Sequence, residues 1–239
     1  MTEATNASRP YFSIAIPAYN RADIVGRSID SCLTQTFADF EVIVVDDGSS
    51  DNTEAVVRGY TDPRVTYIRQ ANAGGGAARN RAVEAATGRY IAFLDSDDAF
   101  MPEKLAAFRD AIETAGHPEN VVWYSPLRFY RGEGKNLKKP ERPIGADEPV
   151  GDYLFAYEGL LQTSTLVVAK ALFDTVRFDA SLRNLQDLDL CLRLEAAGAR
   201  FVMLPDELVI WYDVAVSNRI SYSTKIDQVM AWAEMRRTL

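Results

Sequence analysis

A chain of 239 residues, 47% hydrophobic and 25% charged, can bury a sizeable core and has the composition of an ordinary globular domain. Its formal charge of −8 argues against nonspecific nucleic-acid binding, which needs clustered Lys and Arg, but it does not exclude a phosphate-bearing substrate whose charge is met by a bound cation. Cys32 and Cys191 have no partner at metal-ligand spacing and read as buried free thiols of a reducing compartment. Met1 to Pro10 lacks the apolar stretch of a signal peptide, and no run reaches the ~18 apolar residues of a membrane span. A cytoplasmic protein is expected, with membrane contact at most peripheral.

In chain order, Tyr11 to Ile16 is a strand run ended by Pro17, and Ile24, Val25, Ile29 and Leu33 recur at helical spacing within Ala22 to Leu33. Phe40 to Val45 is a largely β-branched run, the pattern of a strand buried on both faces. Asp51 and Glu54 have the spacing of a capping pair that opens a short helix to about Tyr60. Val65 to Ile68 is a strand, Ala77 to Ala86 a helix ended by Gly88, and Tyr90 to Leu94 a further buried strand. Pro102 starts a helix to about Ala115. This β-α alternation predicts a mostly parallel sheet covered by helices on both faces, with ligands beyond the carboxyl ends of the strands.

The second half is less regular. Val121 to Tyr130 is strand-like, Gly132 to Val150 an exposed loop containing Lys135, Lys138 and Lys139, and Thr165 to Ala169 a short strand. A helix is expected over Asp187 to Ala197 before Gly198, then strands over Phe201 to Leu204 and Leu208 to Tyr212. Thr224 to Arg237 has the pattern of an amphipathic helix whose Met230, Trp232 and Met235 would serve a membrane contact or a homodimer contact; the sequence leaves both open.

Two acidic clusters follow buried strands expected to be neighbours, and should lie on the same sheet edge: Asp46-Asp47-Gly48-Ser49-Ser50 and Asp95-Ser96-Asp97-Asp98. Carboxylates packed this densely repel one another unless a cation or sugar hydroxyls lie among them. A carboxylate-x-carboxylate unit is a hard-oxygen site suited to Mg²⁺ or Mn²⁺, completed by phosphate oxygens and water.

At these residues the chain resembles a known family. SIAIPAYNRADIVGRSIDSCLTQTFADFEVIVVDDGSSDNT (Ser13 to Thr53), ANAGGGAARNRAVEAATGRYIAFLDSDDAFMPEKL (Ala71 to Leu105) and LQDLDLCLRLEAAG (Leu185 to Gly198) are similar to the sequence blocks of family 2 glycosyltransferases. The resemblance implies an α/β GT-A fold, with a mostly parallel central sheet and a smaller mixed sheet, as one domain over 1–239. Residues 11–115 would bind the nucleotide sugar, 116–215 the acceptor, and 216–239 would form a tail helix. It implies inverting transfer from a nucleotide-diphosphate sugar, with UDP the expected nucleotide, to a saccharide or lipid-linked saccharide. Pro17, Ala18 and Tyr19 would line the nucleoside pocket, Asp47 would bind the base, Arg79 would sit near the nucleotide and Asp95 would contact the ribose. Asp97 would hold the Mn²⁺ or Mg²⁺ that bridges the diphosphate, and Asp187 would be the general base. Opening a helix keeps the Asp187 carboxylate ionised, whereas burial makes it more basic, so local burial sets the balance.

Some positions depart from the pattern or are ambiguous. The block that often reads Glu-Asp at the base reads Gln186-Asp187 here, and Asp189 is a rival base with a structural reading of its own. The single histidine, His117, lies at a helix end beside Gly116 and reads as structural or solvent-exposed, so a histidine metal ligand is not expected. Arg219 is a candidate to reach the phosphates from a closing loop. Trp123, Tyr124, Phe129 and Tyr130 could stack on sugar or belong to the core, and Gln162 to Thr165 could edge the acceptor site or start a strand. Two other readings compete. A sugar-nucleotide pyrophosphorylase needs a glycine-rich basic loop after the first strand, where this chain has Pro17-Ala18-Tyr19-Asn20-Arg21. A non-catalytic nucleotide-sugar or polysaccharide-binding module is disfavoured by intact Asp47, Asp97 and Asp187.

Overall fold

The computed structural model describes residues 9–132, 136–157, 159–213, 232 and 234. Strands β1 (Phe12–Ala18), β2 (Phe40–Asp46), β3 (Val65–Arg69) and β4 (Tyr90–Phe93) are separated by helices α1 (Val25–Leu33), α2 (Thr53–Arg58) and α3 (Gly75–Ala85). After β4 come β5 (Asp98–Phe100), α4 (Lys104–Thr114), β6 (Val121–Tyr124), β7 (Leu127–Tyr130), β8 (Asn136–Lys139), α5 (Val150–Phe155), β9 (Val167–Ala169), α6 (Gln186–Ala196), β10 (Arg200–Met203) and β11 (Val209–Tyr212). The central sheet has seven strands in the order β10-β6-β9-β4-β1-β2-β3, and only β9 runs antiparallel to its neighbours. A smaller mixed sheet has the order β5-β11-β7-β8.

The apolar runs become central strands because both of their faces are covered. Ile14, Ile16, Val42 and Val44 point into a core shared with Val25 and Ile29 of α1, Val57 of α2, and Leu105 and Phe108 of α4. Their neighbours Ala15, Ile43 and Val45 point the other way, into a core shared with Ala78 and Ala82 of α3, Tyr153 of α5, and Leu190 and Leu194 of α6. Each fully buried Ile, Val or Leu contributes about 1.5–3 kcal/mol.

Several expectations are corrected. β1 does not stop at Pro17 but continues to Ala18 in register with β2. β4 pairs with β1 only as far as Ala15↔Phe93, so the missing Pro17 N–H faces a position that β4 no longer occupies. The two acidic clusters do not follow adjacent strands, since β1 lies between β2 and β4. Val121 to Tyr130 is two strands in two different sheets, broken at Ser125-Pro126, where proline cannot donate to the ladder. The expected loop Gly132 to Val150 contains β8. Glu54 pairs with Arg58 and Arg69 rather than completing a capping box, and Asp51 alone accepts the Thr53 N–H. Gly88 marks a close approach more than a helix stop, because a Cβ there would lie 2.6 Å from the Ser13 backbone nitrogen. Thr224 to Arg237 lies outside the described residues except for Trp232 and Glu234. Trp232 is buried, and its indole N–H donates to Asp189, so it serves this chain's own interior rather than a contact surface.

Candidate active site at the carboxyl edge of the sheet

The loops after β1 and β2 are tied together by their own polar groups. The Asn20 N–H donates to Ser49 Oγ at 2.8 Å, Arg21 N–H to Thr53 Oγ1 at 2.9 Å and Ala22 N–H to Asp51 Oδ2 at 3.0 Å. Asn20 adopts positive φ at this bend, and its Oδ1 accepts the Ser50 N–H. Pro17 is half-buried, Ala18 is buried and Tyr19 is exposed at the rim. Asp47 is buried and accepts three hydrogen bonds from the loop after β3: Gln70 Nε2 at 2.7 Å, Ala73 N at 2.9 Å and Gly74 N at 2.7 Å. Gly74 has φ of 92° and caps α3, so Asp47 anchors the start of the helix that carries Arg79.

The second acidic cluster converges. One ligand oxygen from each of Asp95, Asp97 and Asp98 lies within 4.8 Å of the other two. The loop is gripped from both sides. From α1, Ser28 Oγ donates to the Asp98 carbonyl at 2.7 Å, and Arg27 Nη2 donates to the Asp97 carbonyl at 2.6 Å. The Arg27 guanidinium also lies 3.5 Å from the ring centroid of Tyr212 on β11. From the turn before β9, Gln162 Nε2 donates to Asp95 Oδ2 at 3.0 Å and Asp98 Oδ2 at 2.9 Å, and Ser164 Oγ donates to Asp98 Oδ2 at 2.7 Å. Asp98 is 0% exposed, and its Oδ1 has no hydrogen-bond partner. Burial, and then the nearby Asp97 and Asp95 charges, push its carboxyl well above the usual range. Three clustered carboxylates with one buried, unsatisfied oxygen fit a hard divalent cation, which would supply both the missing partner and the missing positive charge.

Arg79 connects this cluster to α6. Its guanidinium pairs with Asp95 Oδ1 and donates to Gln186 Oε1 at 2.7 Å. Asp187, in the first turn of α6, is partly exposed, and its Oδ1 accepts the Leu188 N–H at 3.0 Å. The burial of its surroundings raises its proton affinity above that of an ordinary aspartate. The Leu188 N–H opposes that rise, the nearby Asp95 charge adds to it, and Arg79 moderates it. Burial therefore outweighs the helix terminus. Asp189 is held differently: it is fully buried, its Oδ2 accepts Arg193 Nη2 at 2.6 Å, and its Oδ1 accepts Trp232 Nε1 at 3.1 Å. Both of its oxygens have structural partners, whereas Asp187 lies in electrostatic reach of Asp95 and Arg79.

The remaining candidates separate clearly. His117 lies half-buried with its Nδ1 3.5 Å from the Tyr11 hydroxyl, at the C-terminal turn of α4 and away from the carboxylates. Trp123 and Tyr124 are core residues, while Phe129 packs on Trp211 and Tyr130 on Tyr212. Arg219 lies outside the described residues. Sequence reasoning missed Arg27 and Ser28, and it did not connect Gln162 and Ser164 to the carboxylates. Polar residues on the buried face of α1, such as Ser28, were the available signal.

The sequence profile of Glycosyl transferase family 2 matches residues 13–167, a span that runs from β1 into β9 and contains both acidic clusters. The chain is a family 2 glycosyltransferase. The amylovoran biosynthesis glycosyltransferase AmsB of Erwinia amylovora is 34% identical over 212 residues, which cover 85% of this chain and 70% of that protein. The putative colanic acid biosynthesis glycosyl transferase WcaA of Escherichia coli is 31% identical over 193 residues, which cover 78% of this chain and 67% of that protein. The fold is GT-A. S. aureus TarS 1–349 in complex with UDP-GlcNAc superimposes with a TM-score of 0.72 at 22% identity, covering 90% of this family 2 chain and 61% of that one. A Pyrobaculum calidifontis mannosyltransferase in complex with GDP-Man and Mn²⁺ gives 0.63 at 18% identity, covering 86% and 57%. The chain thus spans less than two thirds of these solved structures.

Proposed function

We propose that this protein transfers a glycosyl unit from a nucleotide-diphosphate sugar, UDP being the expected nucleotide, to a saccharide or lipid-linked saccharide, with inversion at the anomeric carbon. The convergence of Asp95, Asp97 and Asp98 beside a basic, half-buried Asp187 carries this reading. Pro17, Ala18, Tyr19 and Asp47 would bound the nucleoside, with Arg79 and Asp95 next to it. Asp97, with Asp95 and Asp98, would hold Mn²⁺ or Mg²⁺. When bound, that ion would neutralise charge developing on the diphosphate. Asp187 accepts the proton of the acceptor hydroxyl as its oxygen bonds to the anomeric carbon, and the bond from that carbon to the diphosphate oxygen breaks on the opposite face.

The relatives named for amylovoran and colanic acid biosynthesis support a polysaccharide context, and the TarS complex with UDP-GlcNAc supports a uridine donor. On the acceptor side, Phe155 and Tyr157 are 57% and 62% exposed. They sit on the segment that leads to Gln162, Phe155 against Trp232 and Tyr157 beside the Arg142 guanidinium, and their exposed surfaces would meet a sugar ring. No helix of the described residues is long and apolar enough to cross a membrane. A lipid-linked acceptor would be met at the inner face of the cytoplasmic membrane.

Calorimetric titration of UDP-sugars and GDP-sugars, with and without Mn²⁺, tests the donor half of this reading. Metal-dependent binding of a UDP-sugar that is lost in Asp97→Ala is expected. Equal binding by that variant would remove the metal assignment, and preference for a guanine nucleotide would remove the uridine assignment.

A further inference from the structure

Lys104 opens α4 and is the only buried lysine among the described residues, at 0% exposure. Its ammonium lies between two rings, 4.7 Å from the centroid of Phe100 and 4.5 Å from that of Phe108. No carboxylate of the described residues pairs with it. Its hydrogen bonds go to two backbone carbonyls, Ser164 at 3.2 Å and Thr165 at 3.4 Å. Burial drives its proton affinity well below that of an ordinary lysine, against a smaller opposing effect of nearby Cys32. A methionine would fill much the same apolar space without the desolvation cost, so packing does not explain the amine.

What the amine holds does explain it. Ser164 and Thr165 end a single 3-10 turn over Thr163–Thr165, just where helical carbonyls run out of intrahelical partners. Gln162 and Ser164, at this turn, aim side chains at the acidic loop. Gln162 Nε2 reaches both Asp95 and Asp98, Ser164 Oγ reaches Asp98, and Ser164 Oγ also accepts the Asp95 N–H at 2.9 Å. Lys104 therefore stands one turn behind two of the three converging carboxylates, in the core that it shares with α1.

We propose that Lys104 is a positioning residue for the divalent-cation site: by gripping the Ser164 and Thr165 carbonyls it sets the turn so that Gln162 and Ser164 hold Asp95 and Asp98 facing Asp97. The inference rests on the reading of that cluster as the cation site. It assigns Lys104 no contact with the ion or the substrate.

The test measures Mn²⁺ binding by electron paramagnetic resonance, with no nucleotide present, for the wild type, Lys104→Met, Ser164→Ala and the double variant, with circular dichroism to establish folding. The expected result is a folded Lys104→Met protein with Mn²⁺ affinity reduced about 10–100-fold, the usual effect of removing an outer partner of a metal ligand. Ser164→Ala should show a similar loss, and the double variant should lose less than the product of the two. Wild-type Mn²⁺ affinity in a folded Lys104→Met protein overturns the proposal and leaves Lys104 a packing residue. If Lys104→Met does not fold, wild-type affinity in Ser164→Ala overturns it instead, because the link through the turn would then be absent. A wild-type protein that binds no Mn²⁺ overturns the reading of the acidic cluster as well, an outcome separable from failure of the Lys104 variant alone.

Discussion

Asp187 and Asp98 are both carboxyls pushed toward protonation, for different purposes. Asp187 gains basicity from its buried surroundings while remaining partly open to solvent. That suits a group that must take a proton from a weakly acidic hydroxyl. Asp187→Asn is expected to reduce transfer about 10²–10⁴-fold while leaving UDP-sugar binding intact, a split read from kcat against the calorimetric Kd. Because the proton affinity of Asp187 is raised, activity should fall as pH falls through a value above the ordinary aspartate range of about 3.9, and a pH profile of kcat/KM checks this. Asp98 is fully enclosed, with an unsatisfied oxygen and two neighbouring carboxylates. Its folded-state proton affinity exceeds that of the unfolded chain, so in the metal-free protein the contribution of Asp98 to stability is fully present below the ordinary aspartate range and is lost as pH rises through the raised value. Asp98→Asn should flatten that decline and raise the Tm of the metal-free protein at pH 7, by about 2–4 °C for each 1 kcal/mol relieved. An unchanged Tm–pH curve would show that the Asp98 charge is already compensated.

The site is assembled from segments whose supports lie outside the motifs. The acidic loop after β4 is gripped by Arg27 and Ser28 of α1 and by the turn at Gln162 to Thr165, elements distant in sequence from Asp95. The strand and helix runs were legible because their apolar patterns survive in the linear sequence, as in Phe40 to Val45 of β2 and in Ile24, Val25, Ile29 and Leu33 around α1. The partners of Asp95 and Asp98 were not legible, because a serine or glutamine carries no mark of which loop it will face. Glycine shows the same limit. Gly88 reads locally as a helix stop, yet a Cβ at that position would lie 2.6 Å from Ser13 N and 2.7 Å from the Phe12 carbonyl carbon. Gly88→Ala should therefore destabilise the protein by about 1–3 kcal/mol, measured by urea unfolding, by forcing β4 away from β1. UDP-sugar affinity in the fraction that remains folded should be unaffected.

Across the molecule, helices close both faces of the sheet and leave its carboxyl edge to the loops that carry the acids. Thermal shift gives a global reading of that edge. Mn²⁺ at 100 times its Kd should stabilise the protein by about 2.7 kcal/mol, and UDP should add a further increment only when the ion is present. Equal UDP stabilisation with and without Mn²⁺ would separate nucleotide binding from the acidic cluster. The β-α alternation of the first half, the two-sided burial of β2 and the family blocks around Asp47, Asp97 and Asp187 were set down in the sequence, because periodicity and short motifs are local properties of a chain. The split of Val121 to Tyr130 between two sheets, the antiparallel insertion of β9, the burial of Asp189 against Arg193 and Trp232 and the enclosure of Lys104 behind the acidic loop were decided only when distant segments packed. Burial and charge pairing depend on neighbours brought together through space, and it is those neighbours that raise the proton affinity of Asp187 and Asp98 and lock Asp189 into structural contacts.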